Sequence, residues 1–156
     1  MMRDIYIQTF SSPVGPLVVG GNNGSICFLR FGDIPDGSQI RSTPLLKDVG
    51  VQLSEYFSGH RKHFEIPLAP CGTPFQVACW NALLSIPYGE TRSYAQQAAA
   101  VGKPRAFRAV GMANHVNPIP ILIPCHRVIG SNGKLTGYAG GLYCKRFLLE
   151  LEAKYV

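Results

Sequence analysis

No stretch of this chain approaches the roughly 20 consecutive apolar residues that a membrane-spanning helix needs, which argues against a spanning protein. Its five cysteines, at positions 27, 71, 79, 125 and 144, form no CxxC pair, and their number is odd. Zinc-ribbon spacing and a disulfide framework are both disfavoured, and a reducing compartment is expected. The start, Met1-Met2-Arg3-Asp4, lacks the apolar core of a secretory leader. The expectation is therefore a cytoplasmic protein, or a nuclear one if the source is a eukaryote. Repeats and low-complexity tracts are absent, so neither a solenoid nor a disordered chain fits. What is present is an apolar content of 46% in 156 residues, enough core for one ordinary domain or two small ones.

Acidic residues are scarce in the rear half. From position 73 onward only Glu90, Glu150 and Glu152 oppose nine basic side chains. Residues 1–72 carry six of each sign, so the whole net charge of +6 lies in the rear. A basic half on an otherwise neutral chain suggests a polyanionic partner.

The two halves also differ in periodicity. Ile5–Phe10, Leu17–Val19 and Ile26–Phe31 are short β-branched or aromatic runs separated by Gly, Asn and Pro turns, which predicts an antiparallel meander. Leu46, Val49, Leu53 and Phe57 form a helical stripe, with Gly59 as its stop, and Phe64–Leu68 is expected to return as a strand. The run 69–74 reads as a linker. Behind it, Thr73-Pro74 caps a first helix, Ser93 caps a second that Gly102 ends, and Pro104 opens a third reaching His115. Two short helices so closely joined predict a helix-turn-helix. A buried strand is expected at 119–123, then a turn at Ser131-Asn132-Gly133 and a last helix from Leu142.

The chemistry concentrates in Ile123-Pro124-Cys125-His126-Arg127. The thiolate is the reactive form of cysteine, a free thiol has a pKa of about 8.5, and cationic neighbours favour ionisation. His126 and Arg127 are thus expected to activate Cys125. On these residues alone, an activated thiol serves a hydrolase as well as a transferase. In the third helix Arg105, Arg108, Met112 and His115 share a narrow arc, Ala106, Phe107 and Val110 lie opposite, and Ala109, Gly111 and Ala113 fill the flanks. A basic stripe edged by tiny residues allows close approach to a surface.

The segment Asn117-Pro118-Ile119-Pro120-Ile121-Leu122-Ile123-Pro124-Cys125-His126-Arg127-Val128 resembles the signature of the O6-alkylguanine-DNA alkyltransferases, also called methylated-DNA–protein-cysteine methyltransferases. Gly72-Thr73-Pro74-Phe75-Gln76, Ile86 through Tyr94, and Gly137 through Leu142 extend the resemblance in the same order. It implies an α+β fold: an N-terminal antiparallel-sheet, ribonuclease H-like domain over 1–71, and a C-terminal helical domain with a helix-turn-helix and a short wing over 72–156. It implies a repair protein that binds duplex DNA and flips the damaged base. The alkyl group passes from O6-alkylguanine to Cys125 once, with no turnover, and O4-methylthymine is a second candidate lesion. Extrusion of a stacked base is what chemistry on it requires.

Site roles follow from the same resemblance. Cys125 is the acceptor, His126 takes its proton through a bound water, and Glu152 orients His126. Asn117 holds the backbone around the site. Tyr94 serves the departing guanine and the target phosphate. Arg108 fills the vacated stack, while Lys103 and Ser131 touch the DNA backbone. The third helix would enter the minor groove, which is only about 6 Å wide. No cofactor, metal or obligate protein partner is expected. Two positions depart from the family pattern: Ala139 stands where some members carry a serine, and Asn114 where others are apolar.

Overall fold

The computed structural model describes residues 5–156, so the Met1-Met2-Arg3-Asp4 start lies outside the described residues. The chain divides into two compact units, one ending at Pro70 and one running from Cys71 to Val156.

In the first unit, β1 (Tyr6–Phe10), β2 (Leu17–Gly21) and β3 (Ile26–Phe31) form an antiparallel sheet in sequence order. The β2 strand is buried along its whole length, as expected for the centre of a three-stranded sheet. Its register sets Gly20 opposite Phe28, whose ring lies where a side chain at Gly20 would be. Helix α1 (Pro44–Phe57) begins where Thr43 accepts the Leu46 N–H, and it buries Leu46, Val49, Leu53 and Tyr56. Gly59 follows it with φ +82, a conformation that favours glycine. The expected strand at 64–68 does not form. Only Leu68 bridges Ile26, through Ile26 N–H to Pro67 O and Ala69 N–H to Ile26 O. Pro67 has no N–H to offer a ladder.

The second unit is helical. Helix α2 (Pro74–Leu84) starts with a reciprocal Thr73/Gln76 capping box, and α3 (Tyr94–Ala100) with a Ser93/Gln96 box. Helix α4 (Phe107–His115) follows a six-residue connection containing Gly102 at φ +77. Pro104 lies in that connection rather than in the helix. The face assignment for α4 also shifts. Val110, Ala113 and Asn114 are the buried set, and Phe107 is 47% exposed. With the helix starting at Phe107, that residue has no preceding turn to cover it. The buried positions then follow the i, i+3, i+4 rule.

A polar clasp joins α3 to α4. Gln97 Nε2 donates to Asn114 Oδ1 at 2.9 Å, and Asn114 Nδ2 donates to Gln97 Oε1 at 2.7 Å. Trp80 of α2 donates its indole N–H to the Ala113 carbonyl at 2.9 Å. Strands β4 (Arg92–Ser93) and β5 (Val128–Ile129) pair in parallel, and the segment 130–141 loops away from β5 before α5 (Leu142–Tyr155). Among the described residues no helix is long and apolar enough to cross a membrane.

Candidate active site

The run leading to Cys125 is a knuckle, not a strand. Pro118 and Pro120 have no N–H to give a ladder. The Asn117 side chain replaces the missing partners: Oδ1 accepts Ile119 N–H at 3.0 Å, and Nδ2 donates to Ile123 O at 2.9 Å. Ile123 N–H closes on Ile119 O at 2.8 Å, around Ile121 at φ +72. A β-branched residue in that region is strained, and the fully enclosed surroundings of Ile121 hold it there. Pro124, at φ −81 and ψ 65, then makes an inverse γ-turn closed by Cys125 N–H to Ile123 O at 2.8 Å. The next residues, Cys125–Arg127, form a single 3₁₀ turn.

Behind this turn lies a buried charge cluster. His126 Nε2 meets Glu152 Oε2 at 2.7 Å. Arg127 donates from Nε to Glu152 Oε1 at 2.8 Å, from Nη2 to Oε2 at 3.1 Å, and from Nη1 to the Ile86 carbonyl at 2.7 Å. Gly89 N–H adds a fourth bond to Glu152 Oε1 at 3.2 Å. All three side chains are buried. Burial alone would raise the Glu152 pKa, but hydrogen bonds and charge from His126 and Arg127 reverse this and hold it well below the usual carboxylate range. Burial lowers the His126 pKa despite Glu152, so the imidazole is neutral at pH 7. Arg127 is therefore the lasting counter-charge of Glu152. A carboxylate on Nε2 favours the tautomer with its proton there, which leaves the Nδ1 lone pair open. That atom is buried and has no hydrogen-bond partner among the described residues.

The expectation that His126 and Arg127 ionise the thiol does not hold. Burial pushes Cys125 up to about 11, opposed by an Asn117 hydrogen bond and by the charge of Lys145. Arg127 points its guanidinium at Glu152, away from that task, and a neutral His126 offers no charge. Adjacency in sequence misled because the 3₁₀ turn sends successive side chains in different directions.

The remaining predicted residues lie outside the Glu152 charge cluster. Tyr94, Phe107, Arg108, Gly111, Met112, His115, Thr136 and Gly137 line an open cavity. The Tyr94 hydroxyl bonds Thr136 Oγ1 at 2.5 Å. Arg108 is exposed on α4, beside an exposed Met112. Lys103 is exposed and lies 5.6 Å from the Phe75 ring centroid, and Ser131 is exposed in the 130–141 loop. Neither is part of the Cys125 cluster. Sequence reasoning missed the Arg127 clamp, Thr136 and Lys145. Lys145 adjoins the apolar stripe of α5, but nothing in its residue type marked it as buried. Among the described residues, no group of His, Cys, Asp and Glu could hold a metal.

Fold and site together define a two-unit α+β protein whose second unit carries a buried thiol site and the helix pair α3 and α4 with its exposed Arg108. Family comparison makes the assignment specific. Residues 74–154 match the DNA-binding domain of 6-O-methylguanine DNA methyltransferase, and residues 5–70 match its ribonuclease-like domain. The chain belongs to the 6-O-methylguanine DNA methyltransferase family. It is 48% identical to a methylated-DNA–protein-cysteine methyltransferase of Methanosarcina acetivorans, over 95% of this chain and 98% of that one. It is 49% identical to the constitutive methylated-DNA–protein-cysteine methyltransferase of Bacillus subtilis, over 94% of each. A crystal structure of Mycobacterium tuberculosis OGT in complex with DNA superposes with a TM-score of 0.89 at 46% identity, covering 96% of this chain and 94% of that one.

Proposed function

We propose that the protein repairs DNA by moving the alkyl group of O6-alkylguanine onto Cys125, once per molecule. The observation that carries this reading is a buried thiol on a 3₁₀ turn whose next residue, His126, is backed by the buried Glu152 carboxylate, in the unit that bears helix α4. Burial pushes the thiol up to about 11, which favours the thiol over the thiolate at pH 7, so in this reading the proton leaves as the bond forms.

In this mechanism the Cys125 proton passes to His126 Nδ1, directly or through water, as the sulfur attacks the alkyl carbon. The S–C bond forms, the C–O6 bond breaks, and the electron pair leaves with the guanine, which takes up a proton. Glu152 stabilises the imidazolium that appears, and Arg127 keeps Glu152 ionised and in place. Asn117 holds the knuckle that aims the sulfur. Tyr94, released from Thr136, serves the leaving base or the target phosphate. The thioether has no route back to thiol, so turnover ends there.

Duplex DNA is the partner in this reading. Arg108 enters the stack vacated by the flipped base, with Met112 and the small Ala109 and Gly111 giving α4 a low profile. Lys103 and Ser131 contact phosphates. Segments 1–71 and 72–156 act as the two domains, the second carrying both DNA binding and chemistry, and O4-methylthymine is a second candidate lesion. The site is a cytoplasmic one, or nuclear in a eukaryote. The test is incubation with duplex DNA containing labelled O6-methylguanine. The Cys125 peptide should gain one methyl per molecule and no more. An unmodified Cys125 with multiple turnover on an ester or peptide would replace this reading with a hydrolase.

A further inference from the structure

Two side-chain amides, Gln97 of α3 and Asn114 of α4, take no part in the mechanism, yet both are buried, at 3% and 8% exposed. They face each other in a two-bonded pair: Gln97 Nε2 donates to Asn114 Oδ1, and Asn114 Nδ2 donates to Gln97 Oε1. Gln97 Nε2 also donates to the Cys79 carbonyl of α2 at 3.2 Å. All four amide atoms are thus partnered. Two such amides stabilise the fold little more than two apolar side chains of the same shape, because each hydrogen bond replaces one that water made. What the pair adds is direction.

The surroundings explain why direction is needed. The core between α2, α3 and α4 consists of Cys79, Ala98, Val110 and Ala113. Small side chains make low ridges, and low ridges define the slide and roll of one helix on another poorly. A two-bonded amide pair is satisfied in one arrangement only. The Trp80 indole adds a directional tie from α2 to the Ala113 carbonyl, directly before Asn114.

The cavity depends on that arrangement. Tyr94 lies one turn before Gln97 on α3, Arg108 lies on the same helix as Asn114, and both line the cavity. The Tyr94 ring faces Gly111, where a Cβ would meet it at 3.6 Å. A roll of α4 by one position, about 100°, would set Val110 or Met112 against that ring and turn Arg108 aside. Beyond the pair, the Asn114 carbonyl accepts the Asn117 N–H at 3.2 Å, and Asn117 holds the knuckle before Cys125.

We propose that the Gln97–Asn114 pair is a positioning device for base extrusion, which fixes the register of α4 on α3 and with it the placement of Arg108 relative to Tyr94 across the cavity. The proposal rests on the reading of the protein as one that flips an alkylated base toward Cys125. It goes further by assigning the placement of Arg108 to two buried residues that lie away from the DNA and the thiol. A free base needs no extrusion, so register bears on duplex repair far more than on transfer from a free base.

The test uses the full-length protein with Gln97→Leu, Asn114→Leu and Gln97→Leu/Asn114→Leu. Each is taken through urea unfolding, single-turnover methyl transfer from duplex DNA containing O6-methylguanine, and transfer from free O6-benzylguanine. Each single variant strands one buried amide, so stability and duplex repair both fall. The double variant strands none, and its stability recovers in part. Its duplex repair should stay at least about tenfold below that of the natural protein, because small misplacements of a positioned group are costly. Its transfer from free O6-benzylguanine should stay within about threefold of the natural rate. Gln97→Met/Asn114→Met is a second apolar pair, with flexible chains that fill irregular space, and should show the same split. Duplex repair that returns together with stability in either double variant would overturn the proposal, and so would equal losses on the two substrates. A natural protein that gains no methyl from the duplex lesion sinks the transferase reading and this proposal with it. A natural protein that repairs, beside a double variant that repairs as fast, sinks the proposal alone.

Discussion

Arg127→Met removes the clamp on a buried carboxylate and keeps most of the side-chain volume. In the natural protein Glu152 accepts two bonds from Arg127, one from His126 and one from Gly89 N–H. In the variant the His126 ring and the Gly89 amide remain among its partners, and neither brings a permanent positive charge. Breaking a buried pair from one side costs about 3–5 kcal/mol, because the partner is left as an uncompensated charge. The Ile86 carbonyl also loses its donor, which pushes the figure toward the upper end. Against a typical total stability of about 5–15 kcal/mol this is severe, and the melting temperature should fall by more than about 10 °C. The exposed Arg61–Glu55 pair, whose side chains are 24% and 41% exposed, is the internal control, because such pairs contribute only about 0–1 kcal/mol. Urea unfolding of Arg127→Met, Arg61→Met, Glu152→Gln and the Arg127→Met/Glu152→Gln double variant completes the comparison. The double variant should be more stable than the sum of its singles implies, since no unpaired charge remains. If Arg127→Met costs less than about 1 kcal/mol, or if the double variant is simply additive, the clamp is not what keeps Glu152 ionised.

Stability should fall at both ends of the pH scale, as read by urea midpoints. The His126 and Glu152 pKa values are both lowered by folding, so their contributions are complete above the ordinary values of about 6.5 and 4.3 and are lost as pH falls below each. Folding raises Cys125 from 9.0 to about 11, so its contribution is complete below about 9 and lost through about 11, and Cys125→Ser should soften that alkaline limb without abolishing it, because Cys144 behaves alike. Asn114→Leu should cost about 1–3 kcal/mol by leaving Gln97 Oε1 buried and unpaired, and Gln97→Leu/Asn114→Leu should recover part of the loss; a fully additive double variant would count against the clasp. Arg108→Ala should slow repair of duplex DNA at least tenfold more than transfer from free O6-benzylguanine, because its task is base extrusion. Equal losses on the two substrates would remove that role.

Much of the architecture was legible in local patterns. The Thr73 and Ser93 caps announced α2 and α3, and in the structure each is half of a capping box closed by Gln76 or Gln96. The β-branched runs before position 32 became the meander, and the family signature led to Cys125. Local reading failed where partners come from afar. The apolar run at 119–123 has strand composition, yet two prolines and the Asn117 side chain turn it into a knuckle. Phe107 looked like a core residue until the helix began one turn later than the proline suggested.

The linear chain was enough for the two-part organisation, the concentration of charge in the rear, the candidate nucleophile and the candidate chemistry. These depend on residue types and short spacings, which a linear chain displays. Tertiary structure alone decided what each charge does. Arg127 sits two residues from Cys125 but serves Glu152, 25 positions away. Lys145, 20 positions from Cys125 in sequence, donates to the Val128 carbonyl just past the turn that carries Cys125. Electrostatic energy depends on distance through space and on exclusion of water, and neither is visible before the helices pack.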